Sequence, residues 1–280
     1  MNIFGDIFNS LFFGPIINLL VLTYHALTGV HIPGAFGLAI VLLTIAIRLL
    51  IAPFIAAQLR STKKMSDLKP QIEALSKKHA KDKQSLAQAQ MALYKEHGIN
   101  PAAGCLPSLI QMPVVIALYQ TIQASFDGQH GLDKLNGFIY SPSWKLSNTP
   151  DLHFLGINLA SKPSEFATAG VLLLLVPLLT AGLQFVQSKM MTPLPVKPYP
   201  SDSKKELEEK EKTQDTMSAV QSQMTFMLPL MIGFFSWTLP IGVSVYWNTF
   251  TIIGIVQQYM IGGWGGMTPW IHRLAPSANR

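Results

Sequence analysis

GAFGLAIVLLTIAIRLLIAPFIAA, residues 34–57, contains one charged side chain, Arg48. About 20 apolar residues in a helix rising about 1.5 Å each cross the ~30 Å hydrocarbon core of a bilayer. A helix buried in a soluble core rarely runs this long with so little charge. Working outward, four more runs of the same kind follow at 104–125, 166–188, 223–239 and 241–261. The whole chain is 49% hydrophobic and only 13% charged, against about 25% charged in soluble domains. These features predict an all-α integral membrane protein built as a five-transmembrane-helix bundle.

The segments between the spans set the orientation. Residues 58–100 carry Arg60, Lys63, Lys64, Lys69, Lys77, Lys78, Lys81, Lys83 and Lys95. Residues 189–222 carry Lys189, Lys197, Lys204, Lys205, Lys210 and Lys212, whereas 126–165 has only Lys134, Lys145 and Lys162. Cytoplasmic flanks of membrane spans collect Lys and Arg, so both basic stretches and the 262–280 tail are expected in the cytoplasm. The amino end is then outside (N-out, C-in), with 126–165 as an extracytoplasmic loop. In a soluble protein a net charge of +6 would raise nucleic acid as a partner. Here the positions of the cations account for it, and no direct nucleic-acid partner is expected.

Residues 1–33 hold an apolar stretch, 3–28, interrupted by Asn9, Ser10, Gly14, Pro15, Asn18 and His25. Asn18 and His25 are seven apart and share a helical face. The reading is an N-terminal amphipathic helix at the outer interface. If it spans instead, only the amino end changes sides. No Lys or Arg precedes Arg48, and neither a cleavage site nor a lipoprotein-type Cys is evident near the start. Residue 1 is therefore expected to belong to the mature protein.

The first cytoplasmic stretch has its own periodicity. Met65, Leu68, Ile72, Leu75 and His79 are spaced 3, 4, 3, 4, and Leu86, Ala89 and Leu93 resume it after a polar break at 81–84. This is the seam of an antiparallel coiled-coil hairpin; an amphipathic pair lying on anionic lipid fits the same pattern. The second stretch, within 189–222, places prolines before an i,i+4 charge pattern and reads as a solvated loop with a short helix.

Arg48 carries the most information. A guanidinium near the bilayer centre costs at least ~2.5–3.5 kcal/mol, so it should face the bundle interior or a water-filled cavity. It lies about nine residues, or ~14 Å, from the cytoplasmic end of its span, deep for snorkelling. No Asp or Glu occurs in any of the five spans. Water and neutral polar groups must therefore solvate it, from Thr44, Gln111, Gln120, Gln184, Gln187, Tyr246, Trp247 and Asn248. Each of these alone reads equally as an ordinary interhelical hydrogen-bonding residue.

Signatures of catalysis are missing. The chain has no HExxH, no GxSxG and no phosphate-binding Gly loop, and its seven histidines are scattered. One cysteine, Cys105, excludes an internal disulfide and reads as a small buried hydrophobe. Neither an enzyme, a metal site nor a cofactor is expected.

The run NPAAGCLPSLIQMPVVIALYQ (100–120), preceded by MALYKEHGI (91–99), resembles the signature of the YidC/Oxa/Alb membrane protein insertases. So do TIAIRLLIAPF (44–54), QSKMMTP after the third span and LPIGVSVYWNTFTIIGIVQQYMI (239–261). The resemblance covers about 34–262. It implies a hydrophilic groove open to the cytoplasm and to lipid and closed on the outside. In that family's pattern the groove arginine falls on Arg48 and the groove threonine on Thr44. The groove glutamine falls on Gln187 in preference to Gln184, and an aromatic pair on Tyr246 and Trp247. The implied function is a membrane protein insertase and chaperone. It would move short hydrophilic client segments through the groove and release their apolar helices laterally into lipid. Implied partners are nascent or newly made membrane proteins, membrane lipid, the Sec translocon and the ribosome, at the bacterial plasma membrane. The sequence departs from many relatives in having no large domain before the first span and only Arg273 and Arg280 in a short tail, which argues against ribosome tethering there. Two other readings stay open from the residues: a small anion transporter or channel using Arg48, and an assembly factor docking a soluble partner on its basic hairpin.

Overall fold

The 34–57 run folds into the longest helix among the described residues. In a computed structural model, which describes residues 3–79, 82–99, 106–126, 128–192, 223 and 225–274, helix α3 spans Ala35–Asp67. It continues ten residues past the apolar run, through Lys63 and Lys64, because nothing there breaks it. Pro53 lies inside it. The break comes at Leu68, just before Pro70. A proline lacks an N–H and its ring clashes with the carbonyl four residues back.

Before α3, Ile3–Phe8 forms α1 and Gly14–Gly29 forms α2, joined by one π-helical turn at Asn9–Phe13. Helices α4 (Lys69–Lys78) and α5 (Lys83–Glu96) follow, then α6 (Leu106–Phe126) and α7 (Gly128–Asn136). A two-stranded antiparallel hairpin, β1 (His153–Phe154) and β2 (Ile157–Asn158), pairs His153 with Asn158 and Phe154 with Ile157. The expected third span is interrupted at its start. Helix α8 (Phe166–Ala169) ends at Gly170, whose φ of 113° favours glycine. A 3₁₀ turn at Val171–Leu174 then leads into α9, Leu175–Met191. The remaining helices are α10 (Thr225–Thr238), α11 (Ile241–Gly262) and α12 (Thr268–Leu274). Gly5–Gly29, Ala35–Met65 and Val171–Met191 are long and apolar enough to cross a membrane, while Met112–Ala124 and Thr225–Thr238 are shorter apolar helices. Polar residues dilute α11, but its 22 residues extend about 33 Å.

The chain divides into two compact units. The first comprises Met1–Ala52, Leu106–Leu183 and Met231–Ile253. Its core is one apolar cluster that includes Ile17, Leu20, Ile40, Leu43, Leu118, Ile122, Leu159 and Tyr246. The loop expected at 126–165 is well built. Phe154 sits on Gly34 and Gly37, where any Cβ on Gly37 would collide with its ring. Ile241 N–H donates to the Ser161 carbonyl (3.0 Å) and Gly242 N–H to the Leu159 carbonyl (2.8 Å). The first donors of α11, which no intrahelical acceptor can reach, are thereby satisfied by the loop. Asn18 and His25 serve the same loop. Asn18 Nδ2 donates to the Phe138 carbonyl and its Oδ1 accepts from Tyr140 N–H, both at 2.8 Å. His25 Nε2 lies 2.9 Å from the Trp144 carbonyl oxygen. A chain of buried hydroxyls, Thr180 to Ser236 (3.2 Å) to Ser244 (2.8 Å), ties α9, α10 and α11.

The second unit comprises Pro53–Cys105, Gln184–Leu230 and Gly254–Arg280. Its sequence ranges hold 17 of the 21 Lys and Arg residues. Helices α4 and α5 pack on each other. Asp82 caps α5 by accepting from Gln84 and Ser85 N–H, both at 3.0 Å, and the Ser85 hydroxyl meets His79 Nδ1 at 2.8 Å. Of the expected seam, Leu68 is buried, and Ile72, Leu75, Leu86, Ala89 and Leu93 are half-buried. Met65, also half-buried, belongs to the end of α3 rather than to the first hairpin helix. Burial pushes the Tyr94 phenol above its usual range. The tail expected at 262–280 is partly folded as α12. Cys105, the Gln111 side chain and most of the 189–222 loop lie outside the described residues.

Candidate functional site

One face of α3 is packed and the opposite face is bare. Ile40, Leu43, Thr44 and Arg48 are at most 2% exposed, whereas Leu49 and Leu50 are 65% and 76% exposed. Helical spacing alone puts Thr44 and Arg48 one turn apart on the buried face. The guanidinium meets protein groups there. Nε and Nη2 both donate to the Phe250 carbonyl, at 3.2 and 2.8 Å. Cζ lies 3.6 Å from the centroid of the Phe250 ring. A cation over a desolvated aromatic face contributes up to about 2 kcal/mol. The cation is thus met by a carbonyl and a π-face on α11.

Around that contact, Tyr246 is fully buried and its ring centroid lies 6.0 Å from that of Phe250. Trp247 beside it is half-buried. Thr44 returns its hydroxyl to its own helix, donating to the Ile40 carbonyl at 2.6 Å. Asn248 Oδ1 and Thr251 Oγ1 are buried with no hydrogen-bond partner among the described residues. Each such atom costs about 1–3 kcal/mol unless water or a ligand reaches it. The turn of α11 next to Arg48 therefore holds spare polar capacity in an apolar setting.

The structure brings Arg48 onto the Tyr246–Phe250 turn, and both lie in the first unit with Thr44 and Trp247. Gln184, buried, and Gln187, half-buried, are on the part of α9 that belongs to the second unit. Phe250 and Thr251 are additions to the sequence reading. Phe250 could have been found, since it stands one turn after Tyr246, but an unremarkable Phe in an apolar run gives no chemical signal. Among the described residues, no group of three or more His, Cys, Asp or Glu could hold a metal ion.

Comparison with known proteins supplies the family. Residues 28–264 match the family model described as 60Kd inner membrane protein. The chain is 30% identical over 228 residues to the membrane protein insertase YidC of Fusobacterium nucleatum subsp. nucleatum, covering 81% of this chain and 86% of that one. It is 32% identical to membrane protein insertase YidC 1 of Halalkalibacterium halodurans, covering 82% and 71%. To the chloroplastic inner membrane protein ALBINO3 of Arabidopsis thaliana it is 31% identical, covering 87% of this chain and half of that protein. A crystal structure of an active YidC insertase with its first transmembrane domain resolved shares the fold, at a TM-score of 0.53 and 23% identity, over 88% of this chain and 46% of that one. With its apolar helices and bacterial inner-membrane relatives, the protein is a multi-pass protein of the bacterial plasma membrane. The chain belongs to the YidC/Oxa/Alb family of membrane protein insertases, the 60Kd inner membrane proteins.

Proposed function

We propose that this protein inserts membrane proteins, using Arg48 to draw acidic, hydrophilic client segments into the membrane from the cytoplasm. The observation that carries this reading is a buried guanidinium in the apolar stretch of α3, met by a carbonyl and an aromatic ring of α11. An incoming Asp or Glu would compete for the guanidinium, because a carboxylate brings full opposite charge and takes the fork of N–H donors bidentately. Thr44, Tyr246 and Trp247 would line the client's path, and the spare acceptors Asn248 and Thr251 would bind its water. The client's apolar helix then moves into lipid at about 0.8 kcal/mol per CH₂. No covalent step or cofactor enters this scheme.

In this reading α3, α6, α9, α10 and α11 are the five spans, N-out and C-in. Helices α1 and α2 lie at the outer interface. Their polar residues Asn18 and His25 bond the 136–146 stretch of the outer loop, which keeps the helix at loop depth. Helices α4 and α5 form the cytoplasmic hairpin that receives clients. The test is Arg48→Ala in an insertion assay with paired clients. A client with an acidic translocated segment should lose most of its insertion, and the same client with that segment neutralised should be spared. Normal insertion of the acidic client would sink the electrostatic mechanism.

A further inference from the structure

The insertion scheme leaves the last described segment without a task. After α11 the chain turns through Gly263 (φ 65°) and Gly265 (φ 48°), backbone angles that favour glycine. Gly265 and Gly266 press against the end of α9 so closely that a Cβ on Gly265 would strike the Met190 carbonyl, and one on Gly266 the Thr192 hydroxyl. The turn therefore fixes α12 against α9. Trp270 packs on Phe185 (ring centroids 5.8 Å apart), with Lys189 Nζ 5.7 Å above its ring. Trp264 packs on Tyr259 at 4.9 Å.

Each tryptophan is anchored on one side and bare on the other. Trp264 is 39% and Trp270 43% exposed, and Met260, one helical turn before Trp264 in sequence, is 79% exposed. Arg273 is exposed as well, and residues 254–280 contain no Asp or Glu. Half-exposed indoles beside cations, with no acid among them, match the region where acyl chains meet headgroups. There an indole keeps its apolar face dry and its N–H wet, and Lys and Arg meet anionic lipid.

We propose that α12 and the turn before it form a lipid-binding anchor on the cytoplasmic leaflet. Trp264 and Trp270 sit at the acyl boundary, and Lys189 and Arg273 engage the phosphates of anionic phospholipid. The inference rests on the C-in orientation proposed above. It gives α12 a role at the lipid surface.

The test uses the full chain reconstituted in vesicles of phosphatidylcholine, with or without phosphatidylglycerol. Trp264→Phe and Trp270→Phe isolate each indole's emission by difference from the unaltered protein. Lipid brominated near the headgroup end of its chains should remove most of that difference emission, and aqueous iodide should leave it. Phosphatidylglycerol should shift it to the blue and slow amide exchange over 264–274 in the unaltered protein, a readout that needs no variant. Arg273→Gln should weaken the phosphatidylglycerol response about fivefold. Quenching by iodide with no effect of brominated lipid would overturn the anchor. Equal behaviour in both vesicle types would overturn the assignment to anionic lipid. No readout uses insertion activity, so a chain that failed to insert clients would still report on the anchor.

Discussion

At Arg48 the decisive features are shape and neighbour, not charge alone. The fork of Nε and Nη2 on one carbonyl and the plane of Cζ over a ring suit a guanidinium and not an ammonium. Phe250→Leu keeps the carbonyl and removes the ring. We expect it to destabilise the protein by about 1–2 kcal/mol, read as a lowered Tm in detergent, while the charge stays available to clients. A second residue responds to pH. The Asp151 carboxyl is held below the usual carboxylate range by the His153 backbone N–H, and further by the His153 ring at 2.8 Å. A carboxyl with a lowered folded value stabilises above its ordinary pKa and loses that contribution as pH falls through the folded value. Proteolytic nicking across 151–158 should therefore rise in acid, and Asp151→Asn should flatten the dependence. An unchanged profile in that variant would remove Asp151 as the cause.

Among the elements, the outer loop is held by close packing on small residues. Phe154 occupies the space over Gly34 and Gly37, and the loop carbonyls of Leu159 and Ser161 cap α11. Gly37→Leu must displace Phe154. Overpacking of this kind costs about 1–3 kcal/mol, and the β1–β2 hairpin should lift from α3. Faster amide exchange at β1–β2 is the expected readout, and native-like protection would show that the loop is held elsewhere. The α3–α4 break was missed, because the 3, 4 spacing runs unbroken from Met65 to His79 while α3 ends at Asp67 and α4 begins at Lys69, just before Pro70. Helix α7 was not legible, because its 9 residues are too few to show a helical period, and it forms by packing on α6.

For the molecule as a whole, the placement of charge makes a prediction about sides. With Cys105→Ser as background, Leu155→Cys at the 85%-exposed tip of the β1–β2 hairpin should label from outside with a membrane-impermeant maleimide. Lys78→Cys at the end of α4 should label from the cytoplasm, and Arg48→Cys from the cytoplasm alone. Labelling of the last from both faces would mean a pore. Labelling from neither would mean a dry site, and the groove mechanism would fail.

The apolar runs and the burial of Arg48 were readable from residue order, because the cost of charge in hydrocarbon is a local, one-dimensional effect. What answers Arg48 was not readable in that way. It donates to the backbone carbonyl of Phe250, 202 positions away, and every residue has such a carbonyl. The same holds for Asn18, whose partners at Phe138 and Tyr140 are backbone groups of a distant loop. Side-chain chemistry writes itself into a sequence; the choice of which backbone group meets it is made only when helices pack.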